Sequence, residues 1–266
     1  MPRTARTPSA SGIYHAMARG VNRQRIFTCD GDKERYLDCL WTSSGARDVS
    51  VHAYCLMENH VHLLIRQDGE FPIGEFFRSL GTRYAGWFNV TYGRVGHLFQ
   101  GRFKSKPVET DGYLIAVVRY IHLNPVQAAM CSSPADYRFS SYRVYAKTDR
   151  SEPPWGLSTD LVSPLITPLR CRDLHLDEGR SLYELGMLRE ERGLSDEAAI
   201  DIVEKACGIA PRDIGKLGRR ERDALIRRIV ESGMPRSQLA RIGGMAKRTI
   251  SGACDAGGTS EPPRPR

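Results

Sequence analysis

Two runs rich in β-forming residues, "VSVHAYCLM" and "HVHLLIR", stand only Glu58 and Asn59 apart. A connection that short makes them antiparallel neighbours in one sheet. The segments around this hairpin change period. Upstream, "KERYLDCLWTSSG" reads as an amphipathic helix capped by Asp30 or Asp32 and ended by Gly45. Downstream, Phe76, Phe77, Leu80, Tyr84 and Trp87 recur at helical spacing. "GIYHAMARG" alternates like a strand, "HLFQGRFKSKPVE" reads as an extended basic ribbon, and "DGYLIAVVRYIHLN" is a helix that Pro125 helps to stop. The order β-α-β-β-α-β plus a last helix is a split β-α-β arrangement. It predicts an α+β, ferredoxin-like domain: one antiparallel sheet with helices on one face, the other face open to a ligand.

The rest of the chain reads differently. After Tyr145, Pro153, Pro154, Pro164 and Pro168 interrupt a stretch without periodicity, so 148–180 is expected to be a linker or a draped connection. Residues 181–254 return to helical patterning and are expected to form a small all-α domain. The small, polar and Pro-containing ends, 1–11 and 255–266, are expected to be disordered tails, which leaves 12–147 as the ferredoxin-like domain.

Lys and Arg number 39 against 31 Asp and Glu, a net charge of +8, which fits a phosphate-rich partner as well as a merely soluble basic protein. The seven cysteines include no C-x-x-C pair, which argues against a zinc knuckle or a disulfide framework and for a reducing compartment. No apolar run is long enough for a signal peptide core or a bilayer crossing, so the expected location is the cytoplasm, with no membrane partner.

His60 and His62 are two apart on a strand and therefore share a sheet face. Spacing alone does not separate a metal claw from two polar residues on a solvated face. On the last helix, Leu114, Val117, Val118 and Ile121 make the apolar stripe, with Tyr120 and Asn124 one above the other on its flank and His122 nearly opposite. A phenol and an amide oxygen brought to the histidine pair suit phosphodiester transfer. A tyrosine hydroxyl is a weak nucleophile near its ordinary pKa of ~10 and needs help. A divalent ion on two imidazoles and an amide would hold the phosphate; pure oxygen sites are usual for Mg²⁺, so Mn²⁺ or another ion is a contender. Taken singly, a tyrosine in an apolar helix is usually a core ring and an asparagine just before proline is usually a helix terminator.

The motifs "RGVNRQRIF", "AYCLMENHVHLLI", "RSLGTRYAGWFN", "GHLFQGRFKS" and "YLIAVVRYIHLNPV" together resemble, in this order, the single-tyrosine HUH transposases, most nearly their REP-associated branch. The resemblance spans about residues 13–145. It implies Tyr120 as nucleophile and His60, His62 and Asn124 as ligands of Mg²⁺ or Mn²⁺. It further implies nicking and rejoining of single-stranded or hairpin DNA through a 5′-phosphotyrosine, without ATP, in a nucleoid-associated setting. Glu58 departs from the family's "MPNH", in which Pro stands at that position, but removes no ligand. Arg19 and Arg23 match a family motif and are candidate DNA contacts. A single nucleophile per chain must be reused or paired with a second chain, so a homodimer is one of two workable assemblies.

Further candidate DNA contacts are Arg102, Lys104 and Lys106 on alternate ribbon positions, with Arg94, His97 and Gln100 nearby. Phe99 and Phe103 fit the core better than a base-stacking role. In "PRSQLARIGGMAKRTISGAC", counting from Arg236, Leu239, Ala240, Gly244 and Ile250 satisfy a helix-turn-helix template, which would aim Lys247, Arg248 and Thr249 at a groove. Two other functions stay open: a non-catalytic DNA-binding regulator, and a metal-dependent nuclease that uses water instead of Tyr120.

Overall fold

The structure, a computed structural model, describes residues 8–148, 156–176 and 195–255. Contacts divide the chain into two compact units, residues 1–177 and 178–266.

The first unit is built on β1 (Ile13–Arg19), α1 (Asp30–Gly45), β2 (Val49–Leu56), β3 (His60–Gln67), α2 (Ile73–Thr91), β4 (Lys104–Pro107) and α3 (Asp111–Gln127). All strand pairs are antiparallel, in the order β2-β3-β1-β4. This is the expected ferredoxin-like α+β sheet. Register decides which residues share a face: Met17 lies opposite His62, Arg19 opposite His60, and Cys55 opposite His62, so these point one way. Ala16, Ala18, Tyr54, Val61 and Leu63 point the other way. The crossover helices α1 and α2 cover that second face, with Trp41 edge-on to Tyr54 at 5.8 Å between ring centres. The helices are not all on one face, however. α3 lies on the histidine face, where the Tyr120 ring is 5.5 Å from that of His62. Its apolar stripe (Leu114, Val117, Val118, Ile121) is buried there, so the face left open by the sequence pattern is partly roofed. α3 also runs past Pro125 to Gln127, because a proline in the last turn removes only one backbone bond.

α1 begins with a reciprocal cap. The Cys29 side chain accepts from the third helical N–H, and the Asp32 carboxylate accepts from Thr28 N at 2.6 Å, Cys29 N at 3.3 Å and the Tyr92 hydroxyl at 2.8 Å. Burial opposes ionisation of Asp32, but the bonds from Thr28, Tyr92 and Cys29 outweigh it and hold the carboxyl below its usual range. A carboxylate depressed in this way stabilises the fold above its unfolded pKa near ~3.9 and ceases to do so as pH falls through the lower folded value. Asp32→Asn is therefore expected to cost about 1 kcal/mol at neutral pH and to flatten the acid limb of stability, read by urea unfolding from pH 7 to pH 3. An unchanged acid limb would mean that other carboxylates govern it.

One stretch departs from expectation, and another takes one of its two expected forms. Residues 9–11, counted with a disordered tail, are tied down: Ala10 N and Ser11 N donate to the Glu109 carboxylate at 3.0 and 3.1 Å, and Ser9 N donates to the Tyr14 hydroxyl. Residues 156–176 do not hang free as a linker but drape over the first unit. Ser158 N donates to Val51 O, Leu157 forms a bridge with Val51, and α5 (Pro168–Leu176) packs against α3 and the short α4 (Tyr142–Ala146). Its apolar members Leu157, Val162, Ile166 and Cys171 supply the reason, since each is buried. The expected helix in 181–194, the other residues of the expected linker, and the outer parts of both tails lie outside the described residues.

The second unit comprises α6 (Asp196–Cys207), α7 (Arg219–Glu231), α8 (Arg236–Ile242) and α9 (Lys247–Asp255), so its described part is all-α. Ile202, Ile214, Ile226, Ile229, Leu239 and Ile250 form its core. Arg241 grips Asp196 with two bonds of 2.6 Å. α8 and α9 are joined by a turn in which Gly244 takes φ +59°, a left-handed value suited to glycine.

Candidate active site

β3 and β1 place three imidazoles side by side. The His60 and His62 rings are 5.0 Å apart and nearly perpendicular, and His15 stacks on His62 at 5.3 Å. Each member of the His60–His62 pair is oriented through its Nδ1. That of His60 meets Asn59 Oδ1 at 2.6 Å, and that of His62 meets His15 Nε2 at 3.1 Å. The Asn59 oxygen accepts only, so Nδ1 of His60 carries the proton and Nε2 carries a lone pair. Tying one ring nitrogen in order to aim the other is how metal-binding histidines are set up. His15 and Asn59 were not singled out from sequence. His15 became visible only once register put it on the His62 face; its place in an alternating strand was the available signal.

α3 supplies the rest. The Tyr120 ring is 5.5 Å from His62 and 5.9 Å from His15, and its side chain is fully buried. One turn further on, Asn124 is fully buried too, and neither Oδ1 nor Nδ2 has a hydrogen-bond partner. Leaving an amide buried and unsatisfied costs about 1–3 kcal/mol, so its retention needs a reason. The donor set of two imidazoles and an amide oxygen therefore fits a divalent cation. His122 faces elsewhere: its Nε2 meets Ser141 Oγ at 2.9 Å and its Nδ1 meets His175 at 3.2 Å. Burial, with His175 beside it, drives the His122 pKa well down.

The cationic candidates fall into separate places. Lys104 and Lys106 lie opposite Met17 and His15 on β1 and so share the histidine face. Arg19 is opposite His60. The loop 97–100 joins the same end of the sheet, with Gln100 N donating to Arg19 O at 2.7 Å and Val21 N to Leu98 O at 3.0 Å, while His97 and Gln100 are exposed. Arg23 is exposed at φ +60°, and its carbonyl accepts from the Asn59 amide, linking this loop to the histidine turn. Arg94 is bonded to Gln24 at 2.8 Å. Arg102 departs from the alternation expected of it. It sits in the bend before β4, so only Lys104 and Lys106 share a strand face, and it lines a cavity of about 430 Å³ on the other side of the sheet. Phe99 and Phe103 are half-buried walls of that cavity, and Phe103 stacks on Phe77 at 3.8 Å. Glu58 leaves the histidine turn intact: its carbonyl accepts from Ile26 N and Phe27 N, as a proline carbonyl also can, and its carboxylate pairs with Arg25 at 3.2 Å. Lys247 and Arg248 are exposed at the start of α9, within the second unit.

Residues 9–124 match the model of the family described as "Transposase IS200 like". Among solved structures, a REP-associated tyrosine transposase bound to a REP hairpin is similar at 16% identity and a TM-score of 0.48, over 60% of this chain and 93% of that one. A protein of Deinococcus radiodurans R1 assigned as a transposase is similar at 17% identity and a TM-score of 0.34, over 45% of this chain and 95% of that one. No curated protein matches the chain. Among the described residues no helix is long and apolar enough to cross a membrane.

Proposed function

We propose that the chain is a REP-associated tyrosine transposase, a metal-dependent strand transferase that nicks and rejoins single-stranded DNA at hairpin-forming repeats. The observation that carries this reading is Asn124, a wholly buried amide with both polar atoms unpartnered, one helical turn from Tyr120. A plain DNA-binding protein gains nothing from that arrangement, whereas a cation site does. His60, His62 and Asn124 would hold Mg²⁺ or Mn²⁺, which when bound offsets charge on the scissile phosphate. Tyr120 Oη attacks phosphorus and displaces the 3′-oxygen, giving a 5′-phosphotyrosine and a free 3′-OH. Attack by a 3′-OH reverses the step, so the phosphodiester energy is conserved. His15 and Asn59 hold the two imidazoles in place. Lys104, Lys106 and Arg19, on the same face, together with Arg23, His97 and Gln100 at its end, are placed to take DNA phosphates; Arg94 and Arg102 lie further round.

The test is a denaturing gel of labelled hairpin DNA from the gene's own flanking repeats, with Mg²⁺ or Mn²⁺. Wild type is expected to form a covalent adduct that both Tyr120→Phe and His62→Ala lose. Cutting that survives Tyr120→Phe would instead identify a hydrolytic nuclease. Binding without cutting by wild type would identify a DNA-binding regulator.

The C-terminal helix pair is proposed as a second DNA contact, through Lys247 and Arg248. Each Ala substitution there should weaken binding and lower the slope of log affinity against log salt by about 1, with adduct chemistry on saturating DNA unchanged. An unaltered slope would leave α8 and α9 as packing elements only.

A further inference from the structure

We propose that His122, Cys171 and His175 form a second metal site in the first unit, one for a thiophilic divalent ion of which Zn²⁺ is the best fit. α3 supplies His122 from the side away from Asn124, and α5 supplies the other two. Cys171 and His175 are four apart on α5 and so lie on one helix face. All three side chains are buried, His122 and Cys171 completely and His175 at 8% exposure. One ligand atom from each lies within 4.8 Å of the others.

The nitrogen geometry fits an ion. His122 Nδ1 and His175 Nε2 are 3.2 Å apart. Two nitrogens bound at about 2.0–2.1 Å to one tetrahedral ion lie roughly 3.3–3.4 Å apart. The outer nitrogens are occupied in the manner that aims the inner ones. His175 Nδ1 lies 2.5 Å from the Cys171 carbonyl oxygen, which only accepts, so this nitrogen is the protonated one and Nε2 has the lone pair. His122 Nε2 lies 2.9 Å from Ser141 Oγ, which also accepts from Tyr54 N at 3.0 Å. When His122 donates to Ser141, two lone pairs face each other across the gap, and an ion between them removes the repulsion. The remaining closure falls on the Cys171 thiol, which turns about one bond. Two imidazoles and a thiolate are the donors that zinc selects, and three protein ligands leave one position open. Binding replaces the S–H proton, which leaves to the buffer, with a zinc–sulfur bond.

The competing arrangement has no ion. The Ser141 hydroxyl donates to His122 Nε2, and His122 Nδ1–H donates to His175, so the chain of bonds closes by itself. Cobalt separates the two, because a thiolate ligand gives Co²⁺ a charge-transfer absorption in the near ultraviolet that imidazole and amide ligands lack. The full chain, stripped with chelator, is titrated with Co²⁺ as wild type, Cys171→Ser, His122→Ala and the double variant His60→Ala/His62→Ala. The expected result is one thiolate-bound Co²⁺ per chain in wild type and in the His60/His62 double variant, loss of the band in Cys171→Ser and His122→Ala, and its disappearance when Zn²⁺ is added. The wild-type titration is decisive even if a variant fails to fold. No charge-transfer band in wild type overturns the site, as does a band that persists in a folded Cys171→Ser. The double variant keeps this test separate from the proposed catalytic cation, so strand transfer can fail while this site stands, and the reverse.

Discussion

Replacing Asn124 with leucine is expected to yield a protein that is harder to unfold and unable to cut DNA. Leucine has the same number and branching of side-chain heavy atoms, so among apolar residues it is the nearest in outline to asparagine. The wild-type amide is fully buried with neither polar atom bonded, and removing it relieves about 1–3 kcal/mol of desolvation. For a protein of this size that corresponds to roughly 2–4 °C in Tm per kcal/mol. The same change removes the third proposed ligand, so activity should fall by at least ~100-fold, the upper end of what losing a mere outer-shell partner costs. A third readout ties the two together: Mn²⁺ should raise the Tm of wild type and leave that of the variant unmoved. If Asn124→Leu instead lowers the Tm and keeps activity, the amide is part of an ordinary polar network and the cation lies elsewhere. A residue that weakens the fold while serving the chemistry is the trade expected at an active site.

The second large effect concerns Gly156→Ala. Gly156 has φ +94°, a value that L side chains avoid, and an added Cβ would meet Trp41 Cε3 at 2.8 Å. Trp41 is itself packed edge-on to Tyr54 of the sheet, so it has little room to yield. Backbone strain of about 1–2 kcal/mol and overpacking of about 1–3 kcal/mol should together destabilise the first unit by roughly 2–5 kcal/mol. Urea unfolding followed by tryptophan fluorescence would read it as a lower midpoint. A change under about 0.5 kcal/mol would mean that residues 156–176 contribute little to this unit's stability.

The order of elements and the face shared by His60 and His62 were legible in the sequence because both follow from period and from one very short connection. Tyr120 and Asn124 were legible as a pair for the same reason, a spacing of four on a helix. What was not legible depended on contacts distant in sequence. Nothing local announces that His15 bonds to His62, since that follows from strand register. The Pro-rich stretch reads as either a linker or a draped connection, because proline and absent periodicity signal irregular backbone, which the segment does have. They say nothing about whether Leu157, Val162 and Ile166 find a surface to bury against. Arg102 was placed on a strand because alternation was projected two residues beyond where pairing begins. The helical spacing sets His122 apart from the Tyr120 face, but its partners Ser141 and His175 lie 19 and 53 residues on, beyond the reach of local pattern.

The sheet has consequences for how two copies of this chain can meet. Its β4 edge is only four residues long and presents Lys104 and Lys106. Its β2 edge is already occupied: Leu56 N bonds to Phe139 O, Ser141 N to Tyr54 O, and Ser158 N to Val51 O. A short, like-charged border and a sealed one both discourage strand-by-strand stacking. Crowding of this protein at high concentration therefore should not nucleate β-ribbons, and any specific self-association must be written in helices and loops.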